Sequence, residues 1–233
     1  MLQFFDYVQL ASLALFLALV IGRSIRVHVR QRVNPIRLSI RRNGVHRLIT
    51  VLIFAGTNLW VAVMLLHALG GWLGIFPVHL FRPLFHAWGA RVVGLGLVVL
   101  GFVIFVISLI HLGDSWRLGI DEQTPGELVT WGIYALSRNP IYVFFDLYFF
   151  GVFLLNGTLV LLIFAVLGAI SLHLQIIQEE RFLGRIYGQV YEEYCARTAR
   201  YVTWQALARA VIVSCPIRRL ARYRSAIYKT DVE

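Results

Sequence analysis

Three apolar runs of spanning length, at about residues 4–22, 48–69 and 91–112, constrain this chain more than any other feature. Each is long enough to cross a bilayer as a helix, which takes about 20 apolar residues. A fourth apolar region, 141–177, exceeds one span and is interrupted by Asn156-Gly157. That dipeptide favours a turn, so the region reads as a helical hairpin with arms 141–155 and 158–177. The first arm, about 15 residues long, reaches roughly 22 Å. That is short for a span, so the arm is expected to be buried in protein or to end before the far surface. The fold class expected is all-α: a polytopic transmembrane bundle of about five spans. Composition agrees, since 59% of residues are hydrophobic and only 15% are charged, against about 25% charged in a typical soluble domain.

Charge then orients the bundle. Eight arginines and no acid lie between Arg23 and Arg47, whereas the stretch 48–112 carries only Arg82 and Arg91. From Glu179 onward there are ten Lys and Arg against six acids. Basic loops stay cytoplasmic, so 23–47, 113–140 and 179–233 are expected on the cytoplasmic side and the N-terminus outside. The net charge of +10 is then explained by anionic lipid, and no nucleic-acid partner is expected. The run Tyr7–Ile21 is preceded by Asp6 and followed by the arginines, an order that predicts an uncleaved first helix. Cys195 and Cys215 lack CxxC spacing and fall in the tail, so neither a disulfide nor a metal site is expected. The loop 70–90, rich in Trp, Phe and Pro, reads as an interfacial belt, with a cap over a lipid-facing groove as the alternative. Three regions follow: N-terminal spans over 1–112, a loop, hairpin and helix over 113–204, and a basic tail over 205–233.

Between the third and fourth apolar regions lies LVTWGIYALSRNPIY, residues 128–142. Pro140 fits the first turn of a helix and disfavours helix at Asn139. So 128–139 is expected to be non-helical or a broken turn. The free N–H groups of the following helix, with Arg138 beside them, can hold a carboxylate or phosphate. Gly132 allows close backbone approach. The plainer reading is an Arg snorkelling to headgroups and a Pro starting a helix. Gln178-Glu179-Glu180 stands where the last span leaves the membrane. Acids there are disfavoured by anionic lipid, which suggests a partner, either Arg138 or a cationic ligand; the alternative is a solvated helix start. Leu183, Tyr187, Tyr191 and Tyr194 recur at helical spacing and form one stripe.

The two elements together resemble the isoprenylcysteine carboxyl methyltransferase and phospholipid methyltransferase group. That group shows G-x-Y-x-x-x-R-H-P-x-Y before a hairpin, matched by Gly132, Tyr134, Arg138, Pro140 and Tyr142. After the hairpin it shows E-E-x-x-L-x-x-x-[FY]-G-x-x-Y-x-x-Y, matched by Glu179, Glu180, Leu183, Tyr187, Gly188, Tyr191 and Tyr194. The resemblance covers about 113–202. The family's His is Asn139 here, which can donate and accept hydrogen bonds but cannot act as a base near neutral pH.

The resemblance implies S-adenosylmethionine as methyl donor, in a cytoplasmic pocket between the loop before the hairpin and the helix after it. Cofactor-binding candidates are Gly132, Tyr134, Arg138, Asn139, Pro140, Tyr142, Glu179, Glu180 and Tyr187. Glu179 or Glu180 would balance the sulfonium or bind the amino group. Backbone N–H groups near Tyr134–Arg138 would hold the carboxylate, and Tyr134, Tyr142 and Tyr187 offer an aromatic slot for adenine. Methyl transfer proceeds by alignment and desolvation without a protein nucleophile, so the one catalytic candidate is Arg138, orienting the acceptor or cofactor. The acceptor implied is lipophilic and enters from the bilayer: a prenylcysteine-type carboxylate, a lipid amine or a thiol.

Other features stay open. Arg91–Gly96 matches an R-x-x-G-x-G pattern of phospholipid N-methyltransferases, but it lies at the outer end of its span, where small residues signal close helix packing. Asp146, an ionisable residue inside the hairpin, can face the pocket, pair with Arg138, or partner His173 or Gln175. Gly113–Arg117 resembles a pocket-lining loop, and Trp116 and Arg117 serve equally as interfacial anchors. The expectation is an integral protein of a bacterial inner membrane. An NADPH-dependent reductase of the sterol-reductase type and a non-enzymatic scaffold are the alternatives.

Overall fold

The computed structural model describes residues 4–31, 44–68, 82–115 and 127–202. Residues 32–43 of the basic loop, 70–81 of the outer loop, Trp116, Arg117 and the tail from 203 onward, with Cys215, lie outside the described residues. Most of the described residues are helical: α1 (Phe4–Gln31), α2 (Val45–Ala68), α3 (Trp88–Leu112), α4 (Pro140–Asn156), α5 (Leu159–Tyr187) and α6 (Gln189–Arg197). Helices α1, α3 and α5 are long and apolar enough to cross a membrane, while α2 and α4 carry the shorter apolar stretches Ala55–Leu66 and Pro140–Asn156. The helical membrane bundle read from the apolar runs is therefore the architecture found.

Hairpin arms α4 and α5 turn where the sequence predicts. Gly157 closes α4 at φ 68, a left-handed conformation that glycine adopts without steric cost. The 82–87 segment covers this turn: Leu84 N donates to Gly157 O at 2.7 Å, and Pro83 bridges Thr158. The second arm departs from expectation. It does not stop at 177 but runs to Tyr187, so Gln178, Glu179 and Glu180 lie within it rather than opening a separate tail helix. The extension is possible because both glutamates find partners on neighbouring elements, described below. The helix breaks at Gly188 instead, and the Leu183, Tyr187, Tyr191 and Tyr194 stripe is divided between α5 and α6.

Apolar side chains gain little by leaving lipid for protein, so contact between membrane helices depends on close packing. The α3–α4 pair achieves it with small residues. A Cβ on Gly94 would stand 2.7 Å from Gly151 O, and one on Gly151 would stand 2.9 Å from Gly94 O. Gly94 is a packing residue, whereas nothing lies within 4 Å of a Cβ on Gly96. Gly151 is eleven residues past Pro140, which places this contact about 17 Å along α4 from its start. Phe105 stacks on Phe144 with centroids 4.4 Å apart, and Trp60 meets Phe149 edge-on at 4.9 Å. Such pairs add about 0.5–1.5 kcal/mol each beyond burial.

Candidate functional site

The end of α3, the start of α4, the last turns of α5 and α6 meet at one end of the bundle. The 128–139 stretch is the broken turn expected there: a short 3₁₀ turn over Gly132–Ala135, then irregular chain to Pro140 at the start of α4. Gly132 has φ 65, and a Cβ there would lie 2.7 Å from the His111 ring. A larger residue would therefore push the loop off α3. Ile133 N donates to His111 Nδ1 at 3.5 Å, which fixes the loop to the last turn of that helix.

Glu180 is the hub. Its side chain is 11% exposed, with Arg138 at 13%. Arg138 Nη2 lies 3.3 Å from Glu180 Oε1. Arg200 clasps the same carboxylate in a fork, with Nε–Oε2 at 3.0 Å and Nη2–Oε2 at 2.7 Å. Asn139 Nδ2 donates to Oε1 at 3.3 Å and to Arg200 O at 3.2 Å. Asn139 leaves the first turn of α4 uncapped by its side chain and spends that amide across the cluster. The hydrogen bonds to Glu180 raise the Arg200 pKa further.

Glu179, the preceding residue, has a partner of its own. It accepts a 2.6 Å hydrogen bond from Tyr142 Oη, linking α5 to the first turn of α4. Tyr134 is buried, and its carbonyl accepts from Tyr194 Oη at 2.6 Å. Burial, with the Glu179 charge second, pushes the Tyr134 hydroxyl far above its ordinary pKa, so it stays protonated. Arg138 Nη1 also donates to Cys195 Sγ on α6. Tyr187 closes α5, two turns past Glu180.

The structure thus brings Tyr134, Arg138, Asn139, Tyr142, Glu179 and Glu180 together with Gly132 and Pro140 shaping the loop. It adds residues that the sequence did not point to. Arg200 lies beyond α6 in a segment with no periodic pattern. Ser137 Oγ donates to Arg200 O at 3.1 Å, and Arg138 N donates to Ala199 O at 2.9 Å, so 199–200 folds over the loop. Asp146 Oδ1 is buried and has no hydrogen-bond partner among the described residues. The His173 pairing considered for it is taken by Tyr201, whose hydroxyl lies 2.7 Å from His173 Nδ1.

Three buried polar atoms in and beside the cluster have no hydrogen-bond partner among the described residues: Tyr134 Oη, Arg138 Nε and Gln175 Oε1. Buried polar groups normally pair, at a cost of about 1–3 kcal/mol when they do not. Two of these, Tyr134 Oη and Arg138 Nε, can donate and Gln175 Oε1 can only accept; such atoms beside two carboxylates suit a polar, zwitterionic ligand.

Residues 90–190 match the phospholipid methyltransferase family. The chain is also 31% identical over 121 residues to proteins of Oryza sativa subsp. indica and Oryza sativa subsp. japonica, each named a probable protein-S-isoprenylcysteine O-methyltransferase. The alignment covers 51% of this chain and 63% of each relative, so the chain spans less than two thirds of their length. The family read from the two motifs is the family these comparisons return. The reductase alternative gains no support from them.

Proposed function

We propose that this chain, a member of the phospholipid methyltransferase group through residues 90–190, is an integral membrane methyltransferase that uses S-adenosylmethionine. Its acceptor is lipophilic, a prenylcysteine-type carboxylate, a lipid amine or a thiol, drawn from the bilayer. The end of the bundle that carries the site is cytoplasmic, in an inner membrane of bacterial type, and 113–204 is the catalytic region. The observation that carries this reading is the convergence of both motifs on one charged cluster: Glu180 held by Arg138 and Arg200, with Glu179 held by Tyr142 one residue away.

The residues present fit the cofactor. S-adenosylmethionine supplies an electrophilic methyl group on a sulfonium. Glu179 provides a half-buried carboxylate for a cation, and Arg138, whose Nε has no partner among the described residues, provides a donor for a carboxylate. Tyr134, kept neutral by burial, offers a hydroxyl and a ring. Arg138 serves as the orienting residue, because its backbone is tied to Ala199 and its side chain to Glu180. Alignment and exclusion of water supply the rate, and no residue here is required as a nucleophile. Asn139 acts by hydrogen bonding, since it carries no basic group at neutral pH.

The test is transfer of label. Membranes containing the full chain are incubated with methyl-labelled S-adenosylmethionine, and the lipid extract is counted. Label should enter the extract with the wild-type protein and fall to background with Glu180→Ala. Label that is independent of the protein would overturn the reading.

A further inference from the structure

Away from the cluster, a cavity of about 350 Å³ lies between α1 and α3. Its walls are apolar, with Leu19 and Gly22 on α1 and Val106 and Ile110 on α3, and Arg23 and Arg26 complete the lining. Ile110 is 66% exposed and Val106 37%, so the groove opens sideways. The two arginines stand together on α1, in the stretch of the chain that carries arginine without acid.

We infer that this groove is a lipid site, holding one acyl chain of an anionic phospholipid with its phosphate at Arg23 and Arg26. The volume is at the small end of the roughly 300–1,000 Å³ of small-ligand sites, enough for one chain rather than a whole two-chain lipid. The apolar walls match an acyl chain, and the paired positive charges match a phosphate at the basic end of a membrane helix. The groove is distinct from the candidate methyltransferase site. The last turn of α3 stands between them, because the ring of His111, the residue after Ile110, lies against Gly132 on the far side. A lipid seated here would press on that same turn and so brace the loop that carries Arg138.

The full chain is reconstituted in nanodiscs containing equal phosphatidylglycerol and phosphatidylcholine, released, and examined by native mass spectrometry for retained lipid. Wild type should keep one phosphatidylglycerol in preference to phosphatidylcholine. Arg23→Gln with Arg26→Gln should weaken retention roughly thirtyfold, about fivefold for each arginine near the surface. Gly22→Leu keeps both arginines but fills the groove. Nothing lies within 4 Å of a Cβ at Gly22, so this variant should fold, as its circular dichroism will show, and should also lose the lipid. Equal retention of both lipids would overturn the inference. So would wild-type retention by Gly22→Leu, or recovery of a methylated product lipid from the groove.

Discussion

Two buried polar networks stand at opposite ends of this bundle, and their difference separates a structural device from a site. At the hairpin-turn end, Gln9 Nε2 donates to Met64 O at 2.9 Å, and Asn156 Nδ2 donates to Gln9 Oε1 at 2.8 Å. Ser12 Oγ lies 2.9 Å from Tyr148 Oη. This network is neutral and joins α1, α2 and α4, and both ends of the fully buried Gln9 amide are satisfied. At the other end the cluster holds two carboxylates and two guanidiniums and leaves Tyr134 Oη and Arg138 Nε without a partner among the described residues. A saturated neutral network fixes helix positions. A charged one with spare polar atoms is what the proposed cofactor site requires.

The largest effect expected is on Glu180. Glu180→Ala leaves Arg138 and Arg200 without their shared anion. Removing one member of a buried ion pair costs about 3–5 kcal/mol, and with Arg200 37% exposed the loss should sit at the low end. A thermal melt should register it, and binding of S-adenosylhomocysteine should fall at least about a hundredfold, as expected when a buried hydrogen-bonded charge is truncated. Gln9→Leu breaks the other network. It should lower stability by about 1–3 kcal/mol through the stranded Asn156 and Met64 groups, seen in the melting temperature, and leave ligand affinity unchanged. A change in affinity there would erase the distinction between the two ends.

Smaller effects sharpen the picture. Gly94→Ala drives a methyl into Gly151 O and should cost about 1–3 kcal/mol, whereas Gly96→Ala, facing open space, should stay within about 0.5 kcal/mol. Melting temperatures of the pair test whether the R-x-x-G-x-G pattern is packing at its first glycine alone. Arg200→Ala, at the exposed edge, should cost at most about 1 kcal/mol in stability. It should still alter S-adenosylhomocysteine affinity several-fold, since Glu180 would lose its fork.

Much of this was legible in the sequence, and for definite reasons. Apolar runs report helices because a span needs an unbroken hydrophobic surface. Asn156-Gly157 reports the turn because Gly157 must adopt positive φ. Pro140 marked the start of α4, and Arg138 with Glu180 marked the cluster, since charges at a membrane edge demand partners. The length of α5 was hidden: Glu179 and Glu180 read as the end of a span until Tyr142, Arg138 and Arg200 were seen to compensate them. Arg200 and Ser137 were hidden for a different reason. Their contacts join residues 63 positions apart, and no local periodicity encodes a segment folding back over a loop. Gly94 and Gly96 look equivalent in the sequence, and only the position of α4 tells them apart.

The most direct measurement is calorimetric titration of the detergent-purified protein with S-adenosylhomocysteine, and separately with NADPH, for wild type, Glu180→Ala and Gln9→Leu. Saturable binding of S-adenosylhomocysteine by wild type and Gln9→Leu, lost in Glu180→Ala, is the predicted result. Binding of NADPH instead, or equal binding of S-adenosylhomocysteine by all three proteins, would contradict the assignment of the charged cluster as a methyltransferase cofactor site.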